Sequence, residues 1–242
     1  MHITTKLNYA DRAPISEAMS GYDLDVSGLS KLRSLAQVQR LRRRQRLALF
    51  AAEHVYIVRS GLAAVEGAPV TNSRSILELL YPGDVVVPGL QAPIPDLGLT
   101  ATTPAELWRI SAPTFLQEMH RDSRLSDLVF HKLNSQRARL QLHVAILAGL
   151  ASEQRVVALL IEAASRLGVR DSRGISFDMP LSRTEVAEYL ALNADTLSRI
   201  MSRLTHSNII ERTGRAQMTV CDWDGLMALC PMANAVIALH AP

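Results

Sequence analysis

Residues 179–220 read MPLSRTEVAEYLALNADTLSRIMSRLTHSNIIERTGRAQMTV, and the fold of the chain is decided here. Ser182-Arg183-Thr184-Glu185 places a glutamate three residues after a serine. At that capping-box spacing each side chain satisfies a free backbone N–H of the other. Val186, Tyr189 and Leu190 follow at helical spacing and form a buried face. Ala191-Leu192-Asn193 is a turn, and the Asn193 side-chain oxygen is placed to cap a second helix. In that helix Leu197, Ile200, Met201 and Leu204 face inward. The opposite face carries Asp195, Thr196, Ser198, Arg199, Ser202, Arg203 and His206. Ile209 to Arg212, Thr213-Gly214-Arg215 and Gln217 to Cys221 read as strand, turn and strand, a wing. Two capped helices, a tight turn and a wing place one polar helical face where it can enter the major groove of double-stranded DNA.

Near the start of the second helix this face offers a carboxylate, a hydroxyl and a guanidinium. These suit base edges: arginine to guanine, carboxylate to the cytosine amine, hydroxyl to either. Ser202, Arg203 and His206 lie farther along and are assigned to phosphates. Arg212 and Arg215 of the wing are assigned to the backbone, and Ser182 and Arg183 complete the DNA-binding set. A plain surface helix with Asp195 and Arg199 as an i,i+4 pair, worth about 0.2–0.5 kcal/mol, would explain the face alone. It would not explain the two caps, the turn and the wing together. Acidic residues in this half of the chain about match its arginines, so any basic surface is local.

Composition sets the frame. The chain has 242 residues, 48% hydrophobic and 20% charged, enough for one large or two modest domains with a real core. Aromatics at 5% argue against a stacking platform for single strands. The net charge of +3 is compatible with nucleic acid without demonstrating it. The 2 cysteines, Cys221 and Cys230, cannot build a disulfide framework. MHITTKLNYADR at the start lacks the apolar core of a signal peptide, and no apolar run would span a bilayer. A cytoplasmic protein is expected.

Upstream, residues 29–35 suggest a short helix, and residues 39–50 partly alternate. His54 to Gly61 is β-rich and closes at a glycine. Ser75 to Leu80, Asp84 to Val87 and Leu107 to Ile110 are further strand candidates, separated by Pro82-Gly83-Asp84, Pro88-Gly89, Pro93 and Pro95. Short strands with regular turns predict an antiparallel barrel or jelly roll. Helical spacing takes over after Pro113. From Ser123 to Leu150, Val129, Leu133, Leu140, Val144 and Leu147 fall on one seam, with Arg137 at its missing position. This interrupted coiled-coil pattern predicts a dimer helix covered by a second copy of the chain. Ser152 is read as the cap of the next helix, and the polar segment Gly168 to Gly174 as the loop that ends it. The expected class is therefore α+β. It comprises an antiparallel β-roll with an N-terminal extension over 1–118, a dimerisation helix over 119–150, and a winged helix-turn-helix over 151–242.

On these residues the chain resembles the CRP/FNR superfamily of bacterial transcription regulators. Ser182 to Leu190 resembles the family's first helix. Asp195-Thr196-Leu197-Ser198-Arg199 resembles the E-T-x-S-R start of the recognition helix in the FNR and FixK branch. His54 to Gly61 and Leu80 to Asp84 match, more weakly, the Y-x-V-x-x-G and P-G-D segments of its cyclic-nucleotide-binding-like roll. The resemblance implies that Asp195, Ser198 and Arg199 read each half of an inverted repeat related to TTGA…TCAA, and that RNA polymerase is a partner. One departure matters: Asp195 stands where the family usually has glutamate, one methylene closer to the backbone.

The family's sensor chemistry is not recognisable. In VVVPGLQAPIPDLGLTATTPAEL after Asp84, neither the glutamate nor the arginine of the cyclic-phosphate cassette appears in the expected setting. No cysteine precedes Cys221, so the N-terminal iron–sulfur ligands are missing. Haem is not expected from the dispersed His54, His120, His131 and His143, nor from the dipeptide Cys230-Pro231. No cofactor is therefore expected. The run Arg40, Arg42, Arg43, Arg44 and Arg46 falls by family position in the roll, away from the reading head, and reads as a charged strand edge. No phosphate loop, HExxH, CxxC or G-x-S-x-G is present, which argues against an enzyme. The competing reading is a ligand- or redox-responsive sensor whose C-terminal domain serves a protein interaction.

Overall fold

The computed structural model describes residues 32–49, 53–70, 73–214 and 216–240. The chain begins with eight strands: β1 (Gln37–Leu41), β2 (Arg46–Ala48), β3 (His54–Ser60), β4 (Ala63–Val70), β5 (Ser73–Leu80), β6 (Val85–Val86), β7 (Gly98–Ala101) and β8 (Ala105–Ser111). They form two antiparallel sheets, in the orders β1-β8-β3-β6 and β2-β7-β4-β5. Val58, Val65, Leu80, Leu99 and Leu107 fill the space between them, each at most 2% exposed. Burial of such side chains is worth about 1.5–3 kcal/mol apiece. Gly61 closes β3 at φ 74°, and a Cβ there would meet the Pro104 carbonyl oxygen at 2.1 Å. That approach explains why the strand run stops at glycine.

Two strands were invisible to alternation. β4 reads AAVEGAPV, and Ala63, Ala64, Val65 and Glu66 are all buried. β7 is buried at all four positions. A strand covered on both faces has no polar side to alternate with. Glu66 is held by Arg74 of β5, whose Nε donates at 2.7 Å, and by the hydroxyl of Thr100 on β7. Of the short helix expected over 29–35, residues 32–35 form a 3-10 turn; the rest lies outside the described residues.

The roll leads into α1 (Ala112–Arg121) and α2 (Ser123–Gly149). Ser111 caps α1, and Asp122 caps α2 by accepting from the N–H groups of Arg124 and Leu125. The outer face of the first sheet (Val55, Ile57, Trp108, Ile110) packs on Phe115, Leu125, Leu128 and Val129. Val129, 1% exposed, thus belongs to its own chain's core rather than to the free seam. Phe130, 65% exposed, stands at that turn instead.

Beyond α2 lie α3 (Ser152–Leu167), β9 (Val169–Asp171), β10 (Gly174–Asp178), α4 (Arg183–Tyr189), α5 (Ala194–His206), β11 (Ile210–Thr213), β12 (Gln217–Val220), α6 (Trp223–Ala228) and α7 (Ala233–His240). Two expectations need correction. Ser152 is the first residue of α3, not its cap; the Ala151 N–H is satisfied by Gln154 Oε1 at 3.0 Å. The polar segment after α3 is not a loop but a hairpin, β9–β10. It joins the wing in one sheet, β11-β12-β10-β9. All three β9 residues are exposed, so they left no pattern to read.

The outer face of the second roll sheet (Leu62, Ala64, Ile76, Leu79, Tyr81) shares one core with α2, α3 and the helix-turn-helix. A buried polar network stitches this junction. Asp84 Oδ2 meets Arg139 at 2.5 Å and accepts from the Tyr81 N–H at 2.8 Å. Tyr81 Oη donates to Glu162 Oε1 at 2.6 Å, and Arg166 lies 4.8 Å over the Tyr81 ring. The His143 ring stacks on Tyr189 at 4.0 Å. The C-terminal α7 closes the site, with His240 3.6 Å from Glu162. Burial, then Arg166 and Arg139, push His240 down to about 3. At neutral pH that contact is therefore not an ion pair.

Burial raises the Glu78 carboxyl to about 7 in the same junction, against the pull of its hydrogen bond from Gln136. Its folded value exceeds the unfolded one, so its contribution is intact below about pH 4.5 and is lost as pH rises to about 7. His143, lowered by burial to about 4, and His240 run the other way: their contribution is present above pH 6.5 and lost on acidification. Glu78→Gln is therefore expected to stabilise the chain by about 1–2 kcal/mol at pH 8 and to change little at pH 4.5. Thermal unfolding at both pH values checks this; equal shifts would assign the effect to packing rather than charge.

Candidate nucleic-acid interface

The reading head is built as local chemistry dictates. Ser182 Oγ accepts from the Glu185 N–H at 3.3 Å, and Glu185 Oε2 accepts from the Ser182 N–H at 2.6 Å. This closes the capping box of α4. Ala191 turns the chain at φ 52°. Asn193 Oδ1 accepts from the Thr196 N–H at 2.7 Å and starts α5. Leu197, Ile200, Met201 and Leu204 are buried to 7% exposure or less, which fixes the roll of α5 about its axis. Asp195, Ser198, Arg199, Ser202 and Arg203 are consequently exposed, and Thr196 is half-buried. Among the described residues, neither Asp195 nor Arg199 is in an ion pair. The i,i+4 pair that would have made this a plain surface helix is not formed, so both groups are free for an external partner.

The remaining assigned residues divide. Ser182, Arg183, Ser198, Ser202 and Arg212 come together around a cleft of about 130 Å³ that also contacts Met179, Met201 and Met218. Burial, and then the neighbouring Arg183, hold the Arg212 pKa below its usual value. Two crowded guanidiniums of this kind gain from an anion between them. Arg203 differs: its Nε lies 3.2 Å from Glu153 at the start of α3, which ties it to its own chain. His206 Nδ1 donates to the Ser202 carbonyl at 2.7 Å. Arg215 lies outside the described residues. Among those described, no cluster of three or more His, Cys, Asp and Glu is placed to hold a metal ion, and no helix is long and apolar enough to cross a membrane.

Along the expected seam of α2, Phe130, Leu140 and Val144 are 65%, 40% and 58% exposed, and Arg137 is exposed beside them. Leu133 and Leu147 are half-buried. Phe130 was not among the expected seam residues, although its exposure and its spacing put it on the same stripe. Steps of four and four from Val129 break the heptad, whereas 130, 133, 137, 140, 144 and 147 alternate three and four.

Residues 154–229 match the Crp-like helix-turn-helix domain. The chain is 30% identical over 184 residues to the transcriptional activator protein FnrL of Cereibacter sphaeroides, covering 72% of each. It belongs to the CRP/FNR family of transcription regulators. Another member, the nitrogen fixation regulation protein FixK of Rhizobium meliloti, is 27% identical over 93 residues, 38% of this chain and 42% of that one. The fold of FixK2 from Bradyrhizobium japonicum superposes with a TM-score of 0.70 at 23% identity, over 81% of this chain and 97% of that one. Within the family, α4 and α5 are the DNA-binding helix-turn-helix, and the relatives are transcription regulators rather than enzymes.

Proposed function

We propose that the chain acts as a homodimer that reads an inverted repeat of TTGA-type half-sites. Asp195, Ser198 and Arg199 meet base edges, while Thr196, Ser202, Ser182, Arg183 and Arg212 hold the backbone or the groove wall. The observation that carries this reading is the exposed, unpaired Asp195/Arg199 face on a helix whose other side is anchored in the core. Exposed Phe130, Leu140 and Val144 along α2 support the dimer, because a second copy offers the matching stripe. Dimerisation also sets two heads one helical turn of DNA apart. Asp195 reaches less far than glutamate, so the base it meets is the position where the half-site is expected to depart from TTGA. RNA polymerase is taken as the further protein partner of such a regulator.

The roll is read as lacking cofactor chemistry. Between β6 and β7, residues 87–97 carry one charged side chain, Asp96, and it pairs with Arg46 at 3.1 Å. Neither the arginine nor the glutamate for a cyclic phosphate is there. Burial raises the Cys230 thiol, which disfavours its thiolate and hence a redox role.

Leu140→Glu/Val144→Glu tests the dimer. Because Leu140 and Val144 are 40% and 58% exposed, the folding stability of the protomer is expected to fall by no more than about 1 kcal/mol. The mass by light scattering falls to that of one chain, and the operator shift is lost. A variant that remains dimeric would contradict the seam.

A further inference from the structure

The DNA-binding half is not basic: ten acidic residues face nine arginines over 151–242, and it contains no lysine. Tight duplex binding draws on phosphate neutralisation and counterion release, so positive charge from elsewhere in the chain would strengthen the grip. The structure brings a source beside the head. The turn between β1 and β2 carries Arg42, Arg43 and Arg44, all exposed. Arg43 reaches across from the roll to lie 3.9 Å from Glu185 Oε2. That carboxylate closes the capping box of α4 and adjoins Ser182 and Arg183. The turn therefore continues the polar surface of the head: Ser198 and Ser202, then Ser182, Arg183 and Arg212, then Glu185 and Arg43. The placement corrects the expectation that the arginine run lies away from the head.

The arginines of the run divide by partner. Arg40 pairs with Glu106 on the adjacent β8, and Arg46 with Asp96. They hold the roll edge. Arg43 offsets a carboxylate that would repel DNA at this point. Among the described residues, Arg42 and Arg44 are in no ion pair. The turn that carries them is fixed by its backbone: the Arg44 N–H donates to the Ala101 carbonyl at 2.7 Å, and the Arg42 N–H to Gln45 Oε1 at 3.0 Å.

We infer that Arg42 and Arg44 bind backbone phosphates of the duplex flanking each half-site, with Arg43 positioning the turn against α4. This rests on the DNA-binding reading above and adds a second contact region, supplied by the roll. It contributes affinity without base discrimination, because phosphate contacts carry no sequence.

The test compares two duplexes bound by the full chain. One ends at the outer base pairs of the inverted repeat; the other extends about one helical turn beyond each end. The variant is Arg42→Ala/Arg44→Asn, asparagine being chosen because Arg44 sits at φ 65°, a region it tolerates. Arg121→Ala/Arg124→Ala, at the junction of α1 and α2, removes equal charge as a control. On the long duplex the variant is expected to bind about ten-fold more weakly. Its log–log salt dependence flattens by about 1 for each phosphate no longer neutralised, and on the short duplex it matches the unsubstituted chain. Equal affinity of the variant and the unsubstituted chain on the long duplex, or equal losses on both duplexes or in the control, overturns the assignment. Failure of the unsubstituted chain to bind either duplex overturns the DNA-binding reading itself.

Discussion

Arg199→Ala is expected to abolish discrimination between the operator and unrelated duplex while leaving the fold intact. The side chain is exposed on α5, is in no ion pair among the described residues, and follows Ser198 on the face opposite buried Leu197 and Ile200. Nothing in the protein's own core depends on it, so stability should move by less than about 0.5 kcal/mol. Removing one bidentate arginine–guanine pairing costs about 1–3 kcal/mol, and a dimer forfeits one in each half-site. The combined deficit removes most of the margin between specific and non-specific binding. Residual binding is expected to persist through Arg183 and Arg212, with a salt slope that hardly changes, because the proposed role of those groups is to meet phosphates. Competition titrations with operator and scrambled duplexes check this; an unchanged ratio would remove Arg199 from the reading set.

Asp84→Ala is expected to give the largest loss of stability, about 3–5 kcal/mol. Asp84 and Arg139 are 5% and 8% exposed by side chain. Burial would lower the Arg139 pKa, but the charge and hydrogen bond of Asp84 carry it above the usual value. Removing the carboxylate strands a guanidinium between the roll and α2. It also takes the acceptor from the Tyr81 N–H, where the roll, Glu162 and α7 meet. Asp84→Ala/Arg139→Met is expected to recover much of the loss, since a buried pair replaced by apolar groups is often near neutral. Urea unfolding of the two variants makes the comparison. A loss under about 1 kcal/mol for the single variant would show that the pair is solvated.

How much was legible follows from how local each signal is. The capping box at Ser182 and Glu185, the Asn193 cap and the buried stripe of α5 each span a few residues, and the structure has them as read. The roll was legible where strands alternate or end at a required glycine, as β3 does at Gly61. It was hidden in β4 and β7, where burial on both faces erases the pattern. The seam of α2 was misphased at one turn, because Val129 and Phe130 are both apolar and only packing against Phe115 and Trp108 decides between them. The Arg43–Glu185 approach was beyond reach, since it joins residues far apart in the chain through the docking of α4 on β5.

The central claim, that the Asp195/Ser198/Arg199 face of a dimer reads a palindrome, is tested most directly by selecting duplexes from a random pool with the purified full chain. The expected result is enrichment of an inverted repeat with TTGA-related half-sites one helical turn apart, varying most at the base facing Asp195. Enrichment of a single unrepeated site, or no enrichment above the starting pool, would contradict it.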